Sequence, residues 1–276
     1  MKTIADKLVV LTGASGGIGE FIARALAKEQ ATVVGISRSP AGLERVGAEV
    51  EALGGKWLGI PFNLCELDKL PDLVAQIQQL TGRHIDILIN NAAIEKFRPF
   101  QTYTLEDTQS ILTTNLLSPM ELTRLVMPSM LKRGSGHIVN ISSGSGKKGA
   151  PFNSIYSASK AGLIMWSDAI RQELADTNIG VSVVCPGCTN AGMYLALGQI
   201  APSAAQITEP TEVADRVLQA IAQNQKEVVI DGFNLKFLFA MSQFFPQFGD
   251  MVFQKLGVVK TNQSCAEYQM QAQKLA

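Results

Sequence analysis

The chain is poor in cysteine and histidine, with four and two among 276 residues. Four cysteines are too few for a disulfide framework, so a reducing, cytoplasmic setting is expected. It also lacks an excess of charge of either sign. Lys plus Arg and Asp plus Glu each number 24, for a formal net charge of zero. There is no basic field of the kind that draws nucleic acid. No apolar run reaches the ~18 residues of a membrane-spanning helix. The opening "MKTIADKLVV" has a short apolar run preceded by Asp6 and Lys7, a poor signal peptide. Linkers, internal repeats and low-complexity tracts are missing too. What remains is 46% hydrophobic and 17% charged, enough to build the core of one large domain.

Apolar, Val- and Ile-rich runs recur along the chain: "KLVVLTG", "TVVGIS", "KWLGIPF", "IDILINN", "GHIVNISS", "GVSVVCPG" and "KEVVID". Amphipathic stretches of helical length separate them, such as "GEFIARALAKEQ" and "DKLPDLVAQIQQLTG". Strands apolar on both faces and alternating with helices predict an α/β fold: a three-layer, doubly wound, seven-stranded parallel sheet. Cys185 and Cys188, in "CPGC", have the spacing of thiol redox centres and zinc sites. No second cysteine pair accompanies them, and His84 and His137 lie far away in sequence. They read as small buried residues, and no metal is expected. The two histidines read as structural.

The first strand runs into "TGASGGIGEFIARALA". Gly13, Gly17 and Gly19, with Ser15, Gly16 and Ile18 between them, form a glycine turn between a strand and a helix. Such a turn lets the backbone approach a pyrophosphate, which the helix N-terminus then holds. The second strand ends in Ser37 and Arg38. An acidic residue there would accept from a ribose hydroxyl, whereas Arg suits a 2′-phosphate. NADP(H) is therefore the preferred cofactor, with NAD(H) also admitted. Tyr156 and Lys160, four apart in a helical pattern, share one face. A nearby ammonium favours phenolate, so the pair can give or take a proton at a carbonyl or alcohol oxygen. Ser142 and Ser143 end a strand at the sheet's carboxyl edge, where ligands bind in such sheets.

Together these pieces resemble the short-chain dehydrogenase/reductase family, whose fold is of the Rossmann type. Its T-G-x-x-x-G-x-G element stands as Thr12, Gly13, Gly17 and Gly19. N-N-A-G stands as Asn90, Asn91, Ala92 and Ala93, with alanine in the last place. The remaining elements are Asn115 in "TTNLLSP", Ser143, Tyr156 and Lys160 in "YSASK", and Pro186-Gly187. The resemblance spans residues 5 to about 232. It implies Tyr156 as acid/base, Ser143 orienting the carbonyl oxygen, and Asn115 holding a water. It implies that Lys160 binds the nicotinamide ribose and lowers the tyrosine pKa. It implies cofactor contacts from Asn63 and Leu64 near adenine, Asn91 and Ala92, and Pro186, Gly187 and Thr189 near the carboxamide. Asn63 stands where the family often has aspartate. The family's threonine after Pro-Gly falls at Ala191, so Thr189 is the substitute.

The family's substrate lid corresponds to residues 190–207, where Met193, Tyr194, Leu195, Leu197 and Ile200 are apolar. A lipophilic small-molecule substrate is expected, although packing explains the same residues. The domain covers 5–232, and a helical extension covers 233–276. Seven of the twelve phenylalanines lie between 233 and 253. Phe237, Met241, Phe244 and Phe248 recur at helical spacing, and Pro246 breaks the helix. A cover for the substrate pocket is favoured over an oligomer contact and over membrane-surface contact through 233–257. A homo-oligomer is expected. The expected function is NADP(H)-dependent hydride transfer to or from a lipophilic carbonyl or secondary alcohol. The rival is a catalytically idle, dinucleotide-binding sensor or interaction protein.

Overall fold

The computed structural model describes residues 3–202, 206–230 and 233–275. Positions 203–205 of the expected lid, the boundary at 231–232 and Ala276 lie outside the described residues. All seven expected strands form: β1 (Leu8–Thr12), β2 (Thr32–Ser37), β3 (Lys56–Pro61), β4 (Ile87–Asn90), β5 (Gly136–Ile141), β6 (Ile179–Pro186) and β7 (Glu227–Ile230). They make one parallel sheet in the order β3-β2-β1-β4-β5-β6-β7.

Side chains alternate across each strand, so every strand feeds two cores. Val9 and Leu11 of β1 join Ile22 and Leu26 of α1 (Ile18–Lys28), Val46 of α2 (Pro40–Ala52), and Val213 and Val217 of α8 (Pro210–Gln223). Leu8 and Val10 point the other way. They meet Leu73 and Ile77 of α3 (Leu70–Thr81), and Leu122 and Val126 of α5 (Ser118–Arg133). Helices α4 (Leu105–Leu112), α6 (Ser154–Glu173) and α7 (Gly192–Ala196) complete the chain as far as α8.

The order of strands positions the site. The chain runs outward from β1 through β2 to β3, then returns to lay β4 beside β1. The connections from β1 and β4 therefore leave in opposite directions and open a crevice at their carboxyl ends. After β7 come α9 (Phe233–Phe244), α10 (Pro246–Lys255) and α11 (Val258–Leu275). Pro246 separates the first two, as a residue without an N–H should. No described helix is long and apolar enough to cross a membrane.

Close approach requires glycine at Gly35 of β2, as it does at Gly136 and Gly180. A Cβ on Gly35 in β2 would stand 2.2 Å from the Trp57 ring. Gly35→Ala is expected to destabilise the fold by roughly 1–3 kcal/mol through overpacking. The check is the urea midpoint, which should fall with little change in m.

Candidate active site

The glycine turn is built by exclusion. Gly13 and Gly17 adopt φ of +68° and +59°, which side-chain-bearing residues rarely adopt. A Cβ on Gly19 would lie 2.1 Å from the Gly13 carbonyl oxygen. Gly16, by contrast, faces open space, with nothing within 4 Å of where a Cβ would stand. No side chain caps α1, so its first N–H groups face the crevice. Thr12 and Asn91 lock the turn to β4. Thr12 Oγ1 accepts from the Asn91 and Ala92 N–H groups at 3.0 and 3.1 Å. Asn91 Nδ2 donates to the carbonyls of Thr12 and Gly13 at 3.0 and 3.2 Å. This backbone cradle, with a helix N-terminus behind it, fits a dinucleotide pyrophosphate.

At the end of β2, the Ser15 and Ser37 hydroxyls are 2.5 Å apart. Arg38 is exposed and makes no hydrogen bond or ion pair with the described residues. Arg45 lies on the same side but is engaged by Ser15 O, Glu20 and Glu49. Asn63 Oδ1 accepts from the Cys65 N–H at 3.2 Å, so the side chain closes its own turn. Leu64 is buried, and its carbonyl accepts from Ser118 Oγ.

Helix α6 carries Tyr156 and Lys160 on one face, both buried. Lys160 is 2% exposed. Its Nζ donates to Ile141 O at 2.8 Å and lies 5.6 Å from the centroid of the Tyr156 ring. Burial pulls the lysine pKa down to about 8, against the pull of Glu95. Ser143 hydrogen-bonds the tyrosine. The expected lowering of the tyrosine pKa by Lys160 is corrected here. Burial first, and the Glu95 charge second, push the Tyr156 pKa above its ordinary value, and only the Ser143 bond opposes them. Desolvation of the phenolate outweighs an ammonium already committed to a backbone carbonyl.

Asn115 sits at full burial in a π-helical stretch, Thr113–Leu117, between α4 and α5. Its side chain grips Ile94, accepting from the N–H at 2.8 Å and donating to the C=O at 2.9 Å, and also reaches Ser159. The side chain thus ties the β4 loop to α6 and does not line the cavity.

The crevice opens into a cavity of about 500 Å³. It gathers Gly13, Gly16, Gly17, Ile18, Asn91, Ala92, Ser143, Tyr156, Lys160, Pro186, Gly187 and Thr189. Ser15, Gly19, Ser37, Arg38, Asn63, Leu64 and Asn115 stand outside its lining. Cys188 lines it, while Cys185 is fully buried with its pKa pushed up to about 12 by burial. That is an inert thiol. His137 is buried against Ser182, with its pKa lowered by burial to about 3.

Two lining residues escaped the sequence, and a third group was expected only as a segment. Glu95 and Asn153 are bonded to each other at 2.6 Å. An acidic residue five places past a buried strand, at the sheet's carboxyl edge, was the signal for the first; Asn153 had none beyond its place before α6. The third group is the C-terminal wall: Phe253, Leu256, Val258, Thr261, Asn262 and Cys265. Helix α11 is pinned there by Gln269 Oε1, which accepts from Phe97 N at 2.7 Å, and by Asn262 Nδ2, which donates to Pro151 O at 2.9 Å. Within the phenylalanine run, Phe237, Phe244 and Phe248 are exposed, at 59, 78 and 42%, while Phe239 and Phe253 line the cavity. Phe239 lies on the opposite face of helix α9.

A model of the short-chain dehydrogenase family matches residues 7–199. The ketoacyl reductase HetN of Nostoc sp. is 50% identical over 273 residues, covering 97% of this chain and 95% of that protein. The 3-oxoacyl-(acyl-carrier-protein) reductase FabG of Thermotoga maritima is 34% identical over 222 residues, covering 78% of this chain and 90% of its own. Among solved structures, a metagenomic short-chain oxidoreductase in complex with NADP superposes with a TM-score of 0.72 at 31% identity. That match covers 82% of this chain and 97% of the other. With a family match over most of its length and relatives this similar, the chain belongs to the short-chain dehydrogenase family and is an oxidoreductase.

Proposed function

We propose that the chain is an NADP(H)-preferring reductase or dehydrogenase of lipophilic ketones and secondary alcohols, with Tyr156 as acid/base. The observation that carries this reading is the meeting of Tyr156, Ser143 and Lys160 with the glycine turn in one largely apolar cavity. A nicotinamide cofactor held by the glycine turn would supply or take the hydride when bound. Ser143 orients the carbonyl oxygen and holds the tyrosine hydroxyl. Tyr156, kept protonated by burial, delivers the proton in the reductive direction. Lys160 places its cation beside the phenol and holds the ribose. Asn115 is a positioning residue, setting the loop that carries Glu95. Gly13, Gly16 and Gly17 take the pyrophosphate, while Arg38 and Ser37 take the 2′-phosphate.

Residues 5–232 form the catalytic unit, and 233–276 serve the substrate side. One observation supports that role, α11 walling the cavity, while the exposed Phe237, Phe244 and Phe248 suit a contact between copies of the chain. The names of the two reductases above support an acyl-chain ketone within the lipophilic class. The test is a panel of 3-oxoacyl thioesters, long-chain 2-ketones and aryl ketones, followed by NADPH absorbance. Consumption of NADPH with at least one class is expected. NADPH binding without turnover of any would leave a cofactor-binding sensor instead.

A further inference from the structure

We propose that Glu95, held by Asn153, is the specificity-determining acceptor of the substrate cavity. It receives a hydroxyl or N–H that an otherwise apolar substrate carries away from its reacting carbon. This rests on the reading that the cavity takes a carbonyl substrate beside Tyr156.

Among the described residues that line the cavity, Glu95 is the single acidic side chain. Its neighbours on that wall, Phe97, Leu197 and Ile200, are apolar. The cations of the lining are engaged elsewhere. Lys160 donates to Ile141 O, and Lys148 pairs with Asp250 at 2.6 Å. Glu95 Oε1 accepts from Asn153 Nδ2 at 2.6 Å, and no described residue hydrogen-bonds Oε2. Glu95 is half-buried, so this oxygen is open to a donor that enters the cavity.

The cost of the arrangement falls on Asn153. It is the N-cap residue of α6, where an asparagine ordinarily accepts a first-turn N–H. Here it makes no cap bond, and its Oδ1 is buried without a hydrogen-bond partner. The residue is 1% exposed. Its amide is turned away from the helix and spent on Glu95. From the other side, Asn115 clamps both backbone polar groups of Ile94, the residue before Glu95. The carboxyl is therefore fixed before any ligand arrives, which is what discrimination by hydrogen bonding needs. Desolvation also pushes the Glu95 pKa up to about 7, while the Asn153 hydrogen bond and the Lys160 charge favour the carboxylate that accepts.

The test is calorimetric binding to the NADP⁺-loaded protein, which needs no hydride. The probes are 2-decanone, its monohydroxy derivatives with the hydroxyl stepped along the distal half of the chain, and their methyl ethers. At least one hydroxyketone should bind roughly tenfold to a hundredfold tighter than 2-decanone and than its own methyl ether. Glu95→Leu should erase that advantage. Glu95→Gln nearly preserves shape, and its amide can offer N–H to an ether, so the hydroxyl-over-ether preference should collapse even if the leucine variant does not fold. The proposal is overturned if no hydroxyketone outbinds 2-decanone, or if the preference survives either substitution. Selective binding with no NADPH-dependent reduction of any probe would instead sink the carbonyl-reductase reading and leave Glu95 as an acceptor.

Discussion

Tyr156→Phe is expected to lower turnover by roughly 10²–10⁴-fold, the contribution of a positioned acid/base, and to leave NADPH binding intact. The substitution removes one oxygen from a side chain that is 7% exposed, so little volume changes. It costs the Ser143 hydrogen bond, a loss of about 1 kcal/mol in stability, which does not unfold a domain of this size. The phenol reaches the cavity with its proton in place, and the acid role then depends on a cation that stabilises the phenolate left behind. Burial and Glu95 both hold its proton on, and Lys160 stands near the ring to receive the charge left behind. Single-turnover reduction of whichever ketone the panel identifies, paired with NADPH fluorescence titration, checks both halves. Turnover within a factor of a few of wild type would remove Tyr156 from the chemistry. Lost NADPH binding would mean that the side chain shapes the cofactor site instead.

Arg38→Ala should weaken NADPH binding by about 10- to 150-fold and leave NADH nearly unchanged. A hydrogen bond to a charged group contributes about 1.5–3 kcal/mol, at ~1.4 kcal/mol per decade. Arg38 is exposed and has no partner among the described residues, so no internal ion pair must be broken for it to meet a phosphate. Arg45, the next cation on that side, is already shared by Glu20 and Glu49 and makes a poor substitute. Ser37→Asp should shift preference towards NADH, by offering a ribose acceptor and repelling the phosphate. It also puts a carboxylate beside the Ser15 hydroxyl, now 2.5 Å from Ser37 Oγ, and that donor can satisfy it. Titration of both cofactors against wild type and the two variants decides the matter. Tighter binding of NADH than NADPH to wild type would be incompatible with the assignment.

The sequence by itself determined the sheet and the chemistry's address. All seven strands were legible because a parallel strand buried on both faces must be a continuous apolar run, bounded by segments of helical period. The glycine turn was legible because positive φ and sub-van der Waals approach, as at Gly13 and Gly19, leave no other residue type. Tyr156 and Lys160 were legible because four residues make one helical turn. What only the tertiary structure decided depends on partners far apart in the chain. The Phe237–Phe248 periodicity announces a helix with an apolar stripe but is silent on what faces it, and the cavity took Phe239 from the other side. Asn115 was legible as a residue, whereas its grip on Ile94, 21 positions away, was not. Glu95 and Asn153 are 58 positions apart, and Phe97 and Gln269 are 172 apart. Such pairs leave no periodic mark, because hydrogen bonds and desolvation act through space, while sequence patterns record only what neighbours along the chain must share.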